Sequence, residues 1–249
     1  MKLNRAEILK RERFGNHALL RYRWDGEPPR PGQFIMARTE VAAFDPFLSR
    51  PLFVHDYVDG AASLLFEVRG RGTALLADKN ARLMVSAPLG RGFDTGVDGP
   101  VALVGGGVWL SPLKLLSRNL DFLGADHDLY LEIPASAPEA YAAWISRTYP
   151  AATFVRTDDL QESAHVLLES LGDLSRYRAL YVSGTSATLA AAKEASRSVV
   201  PAQLAVRERM ACASGSCYGC AVPVWRSGVR TYARVCVEGP VFAAEALAW

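Results

Sequence analysis

The stretch that decides the fold is Cys212-Ala213-Ser214-Gly215-Ser216-Cys217-Tyr218-Gly219-Cys220, and Cys236 follows after fifteen intervening residues. These are all four cysteines of the chain, and they lie within its last 38 residues. Every residue between the first two cysteines is small. Gly215 and Gly219 can adopt positive φ, so we expect the backbone to wrap closely around whatever the thiols bind. Three thiols from one short loop also lower the entropic cost of bringing four ligands together.

The C-x4-C-x2-C spacing with a distant fourth cysteine is typical of a [2Fe–2S] cluster, whose two irons need four thiolates. It predicts the metal ligands Cys212, Cys217, Cys220 and Cys236. Backbone N–H groups that point at the sulfurs are expected to tune the reduction potential of the cluster. A cluster of this kind moves single electrons, so the rest of the chain is expected to supply or receive them.

Three other interpretations of the cysteines are a disulfide pair, a zinc site and four unrelated thiols. A zinc site usually pairs two C-x2-C units or includes histidine, and the histidines at 17, 55, 127 and 165 are scattered along the chain. Disulfides are typical of small secreted domains, whereas this chain has 249 residues and no recognisable signal peptide. The spacing therefore favours the iron–sulfur interpretation.

The composition limits the other classes of function. A formal net charge of +2 does not indicate a nucleic-acid partner, and 50% hydrophobic residues are ample for a buried core. No apolar run approaches the ~18 residues of a membrane span, so no membrane role is expected. The lack of a targeting segment predicts a cytoplasmic location. No G-x-S-x-G elbow, Walker loop or H-E-x-x-H pair is present, so no catalytic residue is predicted.

Three patterns succeed one another along the chain. Residues 1–97 contain short alternating apolar runs separated by turn signals, which predicts a small antiparallel β-barrel. Residues 98–203 alternate short apolar runs with helical stretches, which predicts an open parallel α/β sheet. Residues 204–249 carry the cysteines. The predicted fold class is therefore multidomain, α+β and α/β, with a barrel, an open parallel sheet and a small cluster module.

The segments that flank the cysteines are Glu208-Arg209-Met210-Ala211 and Glu238-Gly239-Pro240-Val241-Phe242. Together with the order of the modules, they resemble the electron-transfer subunits of the NAD-dependent (class 1B) dihydroorotate dehydrogenases, within the ferredoxin-reductase superfamily. The resemblance spans essentially the whole chain. It implies FAD in the barrel, a nucleotide-type domain in the middle and one [2Fe–2S] cluster at the carboxyl end. It also implies a partner, the FMN-containing dihydroorotate dehydrogenase catalytic subunit, in a heterotetramer.

The barrel carries three stretches that resemble the flavin-binding segments of this family: Ser49-Arg50-Pro51-Leu52, Gly70-Arg71-Gly72-Thr73 and Ala87-Pro88-Leu89-Gly90. By resemblance, Arg50 pairs with the FAD diphosphate, and a guanidinium fork suits bidentate contact with phosphate. Gly72 and Thr73 are implied to hold the same diphosphate through backbone and hydroxyl donors. The other cofactor contacts that the resemblance implies are Pro51, Leu52, Phe53, Leu65, Phe66 and Glu67.

The chain departs from the family pattern in both nucleotide-binding regions. Phe53 stands where the flavin segment ends in Ser or Thr, so a hydroxyl expected near the reactive flavin nitrogen is replaced by an aromatic ring. The family loop G-G-G-x-G-x-x-P reads Gly105-Gly106-Gly107-Val108-Trp109-Leu110-Ser111-Pro112, with Trp109 where a glycine admits the diphosphate. The family's C-G-P reads Ser183-Gly184-Thr185, and its G-x-R-S reads Ile133-Pro134-Ala135-Ser136. Binding of NAD(H) and retention of FAD are therefore both left open.

The leading hypothesis is an electron-transfer subunit of pyrimidine biosynthesis that does not itself bind dihydroorotate. The resemblance implies that electrons from the FMN of the catalytic subunit pass through the cluster and FAD to an acceptor. Docking is expected near the cluster, beside Tyr218. One alternative is a reductase subunit of another enzyme, of the ferredoxin–NADP reductase, sulfite reductase or hydrogenase type. A second alternative is a regulatory or structural subunit that does not bind NAD.

Overall fold

The computed structural model describes residues 2–40 and 45–249. The strands of its amino-terminal part are β1 (Asn4–Ala6), β2 (Ile8–Phe14), β3 (His17–Arg23), β4 (Phe34–Thr39), β5 (Arg50–Phe53), β6 (Asp56–Val58), β7 (Ala61–Glu67) and β8 (Leu83–Val85). They form two four-stranded antiparallel sheets, in the orders β1-β8-β4-β5 and β2-β3-β7-β6. A short helix, α1 (Arg71–Ala77), lies between β7 and β8 in the chain.

The two sheets enclose one apolar core, because alternate residues of each strand point inward. Tyr22, Leu64 and Phe66 of one sheet and Ile35 and Leu83 of the other are at most 1% exposed and belong to the same cluster. The predicted antiparallel barrel is confirmed. Helix α1 was not predicted from the sequence, because two glycines lower the helix propensity of this stretch.

The rest of the chain contains the strands β9 (Val101–Gly106), β10 (His127–Glu132), β11 (Thr153–Val155), β12 (Ala179–Ser183), β13 (Ala202–Ala205), β14 (Ala221–Arg226), β15 (Val229–Arg234) and β16 (Val241–Ala243). Its helices are α2 (Ser111–Leu123), α3 (Glu139–Thr148), α4 (Leu160–Glu169) and α5 (Ser186–Ser196). Six strands form one sheet in the order β11-β10-β9-β12-β13-β16, parallel except for the last pair. The predicted open parallel sheet is confirmed.

Strand β9 lies at the centre of this sheet, and residues 101–104 are fully buried. Such continuous burial is usual for a parallel strand that is covered on both faces. After β9 a 3₁₀ turn, Gly107–Leu110, leads into α2, which carries Pro112 in its first turn as predicted. Helix α2 ends at Gly124, whose φ of 68° suits a residue without Cβ.

The cluster module leaves the α/β sheet and returns to it. The predicted boundary between residues 203 and 204 falls inside β13, and the domain limits remain a prediction. After β13 the chain forms the cysteine loop and the β14–β15 hairpin, and then comes back as β16, antiparallel to β13.

The barrel and the α/β unit contact each other directly through α2. Arg118 donates to both carboxylate oxygens of Asp56 at 2.8 and 2.9 Å, and the Leu115 N–H donates to the His55 carbonyl at 2.9 Å. Within residues 2–40 and 45–249, the model contains no helix with both the length and the apolar character that a bilayer crossing requires.

Candidate redox centre

The four cysteines come together from two neighbouring segments. Cys212, Cys217 and Cys220 lie on the loop between β13 and β14, and Cys236 lies just after β15. The Val235 N–H donates to the Cys220 carbonyl at 3.1 Å, which holds the two segments side by side. Cys220 and Cys236 are each 3% exposed, whereas Cys217 is exposed to solvent.

The thiols are arranged as two pairs. Cys217 lies close enough to Cys212 to shift the pKa of the Cys212 thiol, and Cys220 lies close enough to Cys236 to shift that of the Cys236 thiol. In the part of the chain that the structure describes, no three His, Cys, Asp or Glu side chains converge closely enough to hold one metal ion. A structural zinc ion needs four donors around one centre, whereas a two-iron cluster takes two thiolates on each iron. The paired arrangement therefore fits a [2Fe–2S] cluster better than zinc.

Backbone amides point at the sulfurs, as the sequence predicted. The Ser214 N–H donates to Cys212 Sγ at 3.5 Å, and the Gly219 N–H donates to Cys217 Sγ at 3.4 Å. The amides of Ser214 and Cys217 lower the pKa of Cys212 to about 5, which favours its thiolate. Burial, followed by the hydrogen bond with Cys220, raises the pKa of Cys236 to about 11. Cys236 therefore stays protonated at neutral pH until a metal binds, because a coordinated thiol is deprotonated.

The loop wraps around the thiols through residues with left-handed backbone conformation. Gly215 has φ of 83°, as expected for a residue without Cβ. The expectation of a positive φ at Gly219 is wrong, because the neighbouring Tyr218 has the positive φ instead, at 55°. Ala213 also has a positive φ, of 50°. The Tyr218 ring lies 5.1 Å from the Arg234 guanidinium, and this contact holds the residue in its unusual conformation.

An Arg–Glu network that the sequence did not reveal ties the hairpin to the cysteine loop. Glu238 accepts hydrogen bonds from the Arg234 N–H at 2.8 Å, from Arg234 Nε at 3.2 Å and from Arg226. The Arg234 N–H contributes most to lowering the pKa of Glu238 to about 2. Arg234 Nη1 also donates to the Gly215 carbonyl at 3.2 Å. The network therefore holds the segment after Cys236 against the loop that carries the other three cysteines.

The predicted diphosphate residues Arg50 and Gly72 lie against each other. A Cβ added at Gly72 would overlap the guanidinium of Arg50, so only glycine lets this side chain lie across the start of α1. Among the described residues no carboxylate forms an ion pair with Arg50, which donates to the Leu48 carbonyl; Asp45 is paired with Arg71 instead. Burial lowers the pKa of Arg50, as expected for a cation that lacks a close anionic partner. These residues fit the diphosphate of FAD.

Thr73 plays a different part from the one that the resemblance implies. Its hydroxyl oxygen accepts from the Gly70 N–H at 3.2 Å and from the Arg69 N–H at 3.0 Å, and it donates to the Gly70 carbonyl at 3.0 Å. These bonds cap α1. The Thr73 hydroxyl therefore fixes the helix start beneath Arg50, and its bonding capacity is already used.

The predicted ring contacts divide between two faces of their strands. Pro51 and Phe53 line a narrow gap, whereas Leu52 and Phe66 point into the barrel core. Leu65 packs with Phe53 in the core shared with the α/β unit, and Glu67 accepts from Asn16 at 3.0 Å and from Arg69 at 2.6 Å. The opposite wall of the gap, which the sequence did not predict, consists of Val206, Arg207, Met210 and Pro240. The gap measures about 10 Å³, so a flavin ring enters only if its two walls move apart.

The glycine loop after β9 carries a stacked aromatic side chain. The Arg207 guanidinium lies 4.6 Å from the centre of the Trp109 ring. Ser183 Oγ donates to the Trp109 carbonyl at 2.6 Å, and the Tyr141 hydroxyl donates to the Gly107 carbonyl at 2.9 Å. Thr185 caps α5, since its hydroxyl accepts from the Thr188 N–H at 3.2 Å. Trp109 and Ser183, two positions at which the chain departs from the family pattern, are therefore joined by a hydrogen bond.

One acidic residue in this crevice was missed by the sequence analysis. Glu132 ends β10 directly beside Gly106, the last residue of β9, and is only 6% exposed. Burial, together with Asp158, raises the pKa of Glu132 to about 7. The loop that follows carries no Arg or Lys at 133–136, and Ser136 donates to Asp158 from its N–H at 2.8 Å and its hydroxyl at 2.6 Å.

Comparisons with known proteins agree on one family. A family model described as the iron–sulfur cluster binding domain of dihydroorotate dehydrogenase B matches residues 207–248. The dihydroorotate dehydrogenase B (NAD(+)) electron transfer subunit of Caldanaerobacter subterraneus subsp. tengcongensis is 31% identical, with 97% of this chain and 96% of that one covered. The protein of the same name from Geobacillus thermodenitrificans is 34% identical, with coverage of 86% and 85%.

Solved structures share the fold at low identity. A structure from a study of NADH-dependent reduced ferredoxin–NADP oxidoreductase superposes with a TM-score of 0.77 at 22% identity, covering 98% of this chain and 90% of that one. Phthalate dioxygenase reductase superposes with a TM-score of 0.60 at 14% identity, with coverage of 94% and 77%. The likeness shows a ferredoxin-reductase-like fold.

Proposed function

The chain belongs to the family of dihydroorotate dehydrogenase B electron-transfer subunits, and we propose that it carries electrons from a catalytic subunit to an acceptor. The catalytic subunit, a separate FMN-containing dihydroorotate dehydrogenase, oxidises dihydroorotate to orotate in pyrimidine biosynthesis. The single observation that carries the proposal is the convergence of the four cysteines from two segments that a backbone hydrogen bond holds side by side. This chain does not bind dihydroorotate itself.

Each pair of cysteines is proposed to hold one iron. Cys212 and Cys217 bind the outer iron, and Cys220 and Cys236 bind the buried one. When bound, the [2Fe–2S] cluster supplies one-electron steps and FAD converts between one-electron and two-electron transfer. The chain's own contribution is to direct the amides of Ser214 and Gly219 at the outer sulfurs, which lowers the energy of the negatively charged ligands.

The barrel is proposed to hold FAD. Arg50 binds the diphosphate as a bidentate cation, and Gly72 gives it the space to do so. Pro51 and Phe53 form one wall of the ring site and Met210 the other. Since Met210 is two residues from Cys212, the segment that carries the first cluster ligand also lines the flavin site.

The catalytic subunit is proposed to dock on the exposed side of the cluster. Tyr218, Tyr232 and Val237 are 57%, 58% and 41% exposed there. Exposed aromatic side chains beside a solvent-facing ligand such as Cys217 are usual in a protein–protein contact. We place the complex in the cytoplasm, a reducing compartment in which the four free thiols stay available for iron.

The test uses the chain prepared without oxygen, with iron, sulfide and flavin quantified. Dihydroorotate is expected to bleach its flavin and cluster absorption only when the catalytic subunit is added. Cys220→Ser is expected to abolish the iron–sulfur absorption, whereas Ser216→Ala, a loop substitution away from the sulfurs, is expected to preserve it. Zinc in place of iron, or no bleaching by dihydroorotate in the assembled complex, contradicts the proposal. Co-purification with a different oxidoreductase instead would support another partner enzyme.

A further inference from the structure

The crevice at the carboxyl ends of β9, β10 and β12 is the place where an open parallel sheet binds a dinucleotide. Two side chains, Glu132 and Trp109, occupy the part of it next to the glycine loop.

Glu132 covers the glycine that a diphosphate would need to approach. Glu132 and Gly106 are paired in the parallel register of β10 and β9, and a Cβ added at Gly106 would lie 3.0 Å from Cδ of Glu132. The side chain is 94% buried by this packing, since the residue is 6% exposed. Among the described residues, no Arg, Lys or His forms an ion pair with it. A dinucleotide diphosphate that approaches Gly106 would have to displace this carboxyl group and would meet a second anion whenever Glu132 is ionised.

Other acidic groups reinforce this effect. Asp158, at the loop after β11, is the charged group that acts on Glu132 most directly. The G-x-R-S loop of the family carries an arginine, whose charge would balance that of the phosphates. In this chain the corresponding residue is Ala135. Two carboxyl groups, Glu132 and Asp158, therefore lie on the Gly106 side of the crevice, whereas the cation Arg207 lies on the Trp109 side.

Trp109 fills the loop side of the crevice. The indole stacks on Arg207, which comes from the segment that leads into the cysteine loop, so the pair bridges the α/β sheet and the cluster module. The carbonyls of Gly107 and Trp109 are both bound by side-chain hydroxyls, of Tyr141 and Ser183. The backbone of the loop is thus held in place, and rotating the indole out of the crevice would break its stack on Arg207.

We propose that Glu132 and Trp109 close this crevice to nicotinamide dinucleotides, so that the chain passes its electrons to an acceptor other than NAD(H). The inference rests on the proposed function, because it concerns the acceptor of the same electron path. Glu132 opposes the diphosphate by its position beside Gly106 and, when ionised, by its charge, and Trp109 excludes it by volume. The two residues are specificity determinants of the subunit; Glu132 lies apart from the proposed flavin gap, whereas Trp109 reaches its wall through Arg207.

The test measures binding rather than turnover, by isothermal titration of the flavin- and cluster-loaded chain with NADH and with NAD⁺. The wild-type chain is expected to show no saturation up to about 1 mM dinucleotide, a weak-binding limit of millimolar Kd. Glu132→Gln removes the charge at nearly constant volume, and Trp109→Gly restores the family residue. The double variant is expected to bind at least about tenfold more tightly than the wild-type limit. Glu139→Gln, an exposed carboxylate on α3 outside the crevice, is the control and should leave the titration unchanged.

Two results would overturn the inference. The first is saturable binding of NADH by the wild-type chain in the micromolar range. The second is a folded double variant that binds NADH no more tightly than the wild-type chain. Both results can be distinguished from a failure of the proposed function. That failure would be seen as a protein without iron or flavin, or as a complex with the catalytic subunit that dihydroorotate does not bleach. If Trp109→Gly fails to fold, Glu132→Gln alone still decides the direction of the effect.

Discussion

Replacing Gly72 by alanine is expected to weaken FAD binding without destabilising the barrel. The added Cβ would lie 2.0 Å from Cζ of Arg50, whereas carbon atoms in contact are about 3.5 Å apart. The guanidinium must therefore move by about 1.5 Å, which breaks bidentate contact with a phosphate. A hydrogen bond to a charged group contributes about 1.5–3 kcal/mol, so the Kd for FAD is expected to rise about 10- to 100-fold.

The same Gly72→Ala substitution should increase the stability of the protein. Gly72 lies in the first turn of α1, where alanine is the better helix former by about 1 kcal/mol. The assay is titration of deflavinated protein with FAD, followed by quenching of flavin fluorescence, alongside thermal unfolding of the same samples. Gly70→Ala is the matched control, because its φ of −168° is extended and a Cβ there meets nothing within 4 Å.

The reasoning is refuted if Gly72→Ala binds FAD as tightly as the wild-type chain. It is also refuted if Arg50→Gln, which removes the charge directly, leaves the affinity unchanged. Equal weakening in Gly70→Ala and Gly72→Ala would show that the helix start, and not the position of the guanidinium, governs binding.

Three further predictions concern stability. Burial lowers the pKa of His17 from 6.5 to about 4, so the unfolded chain binds a proton at a higher pH than the folded chain does. The protein therefore loses stability as the pH falls from 6.5 to about 4. In this pH range His17→Gln should reduce the dependence of the unfolding free energy on pH, measured by urea denaturation, by about 1.4 kcal/mol per pH unit. An unchanged slope argues against the buried neutral imidazole. Asp56→Asn removes the bidentate pair with Arg118 and should cost about 1–3 kcal/mol in the same assay, and no loss would show that the barrel is held by other contacts. Leu103→Ala, fully buried in β9, should cost about 2–5 kcal/mol, whereas Phe122→Ala, 86% exposed, should change stability by less than about 0.5 kcal/mol.

Local patterns predicted most of the fold. The α/β strands and the helix over residues 186–196 follow from apolar runs alternating with helical stretches, and burial on both faces makes such runs conspicuous. Strand β5 was recognised only as a flavin motif, because four residues beginning with Arg-Pro carry no alternating pattern. Helix α1 depends on a side-chain cap that competes with two glycines, and that balance is decided by tertiary contacts.

The candidate site, like the fold, was predicted only in part from the sequence. Cysteine spacing predicts the ligand set, because three of the ligands share one loop. It does not predict which thiols pair, since that depends on how the segment around Cys236 packs against Cys220. Glu132 looked like the end of an ordinary strand; its importance appears only when the register of β9 and β10 places it beside Gly106. Arg207 was missed because stacking on Trp109 joins residues 98 positions apart.

The cysteine-bearing segment begins and ends on adjacent strands, with Ala205 paired to Val241 in β13 and β16. Neighbouring strands are about 5 Å apart, so the two attachment points are close enough to be spanned by a single short turn. The cysteine-bearing segment is therefore an insertion between two paired strands, and the order of the other strands of the sheet does not depend on its length. In a protein built this way, the iron site belongs to a single inserted segment, separate in sequence from the strands that form the flavin-binding barrel.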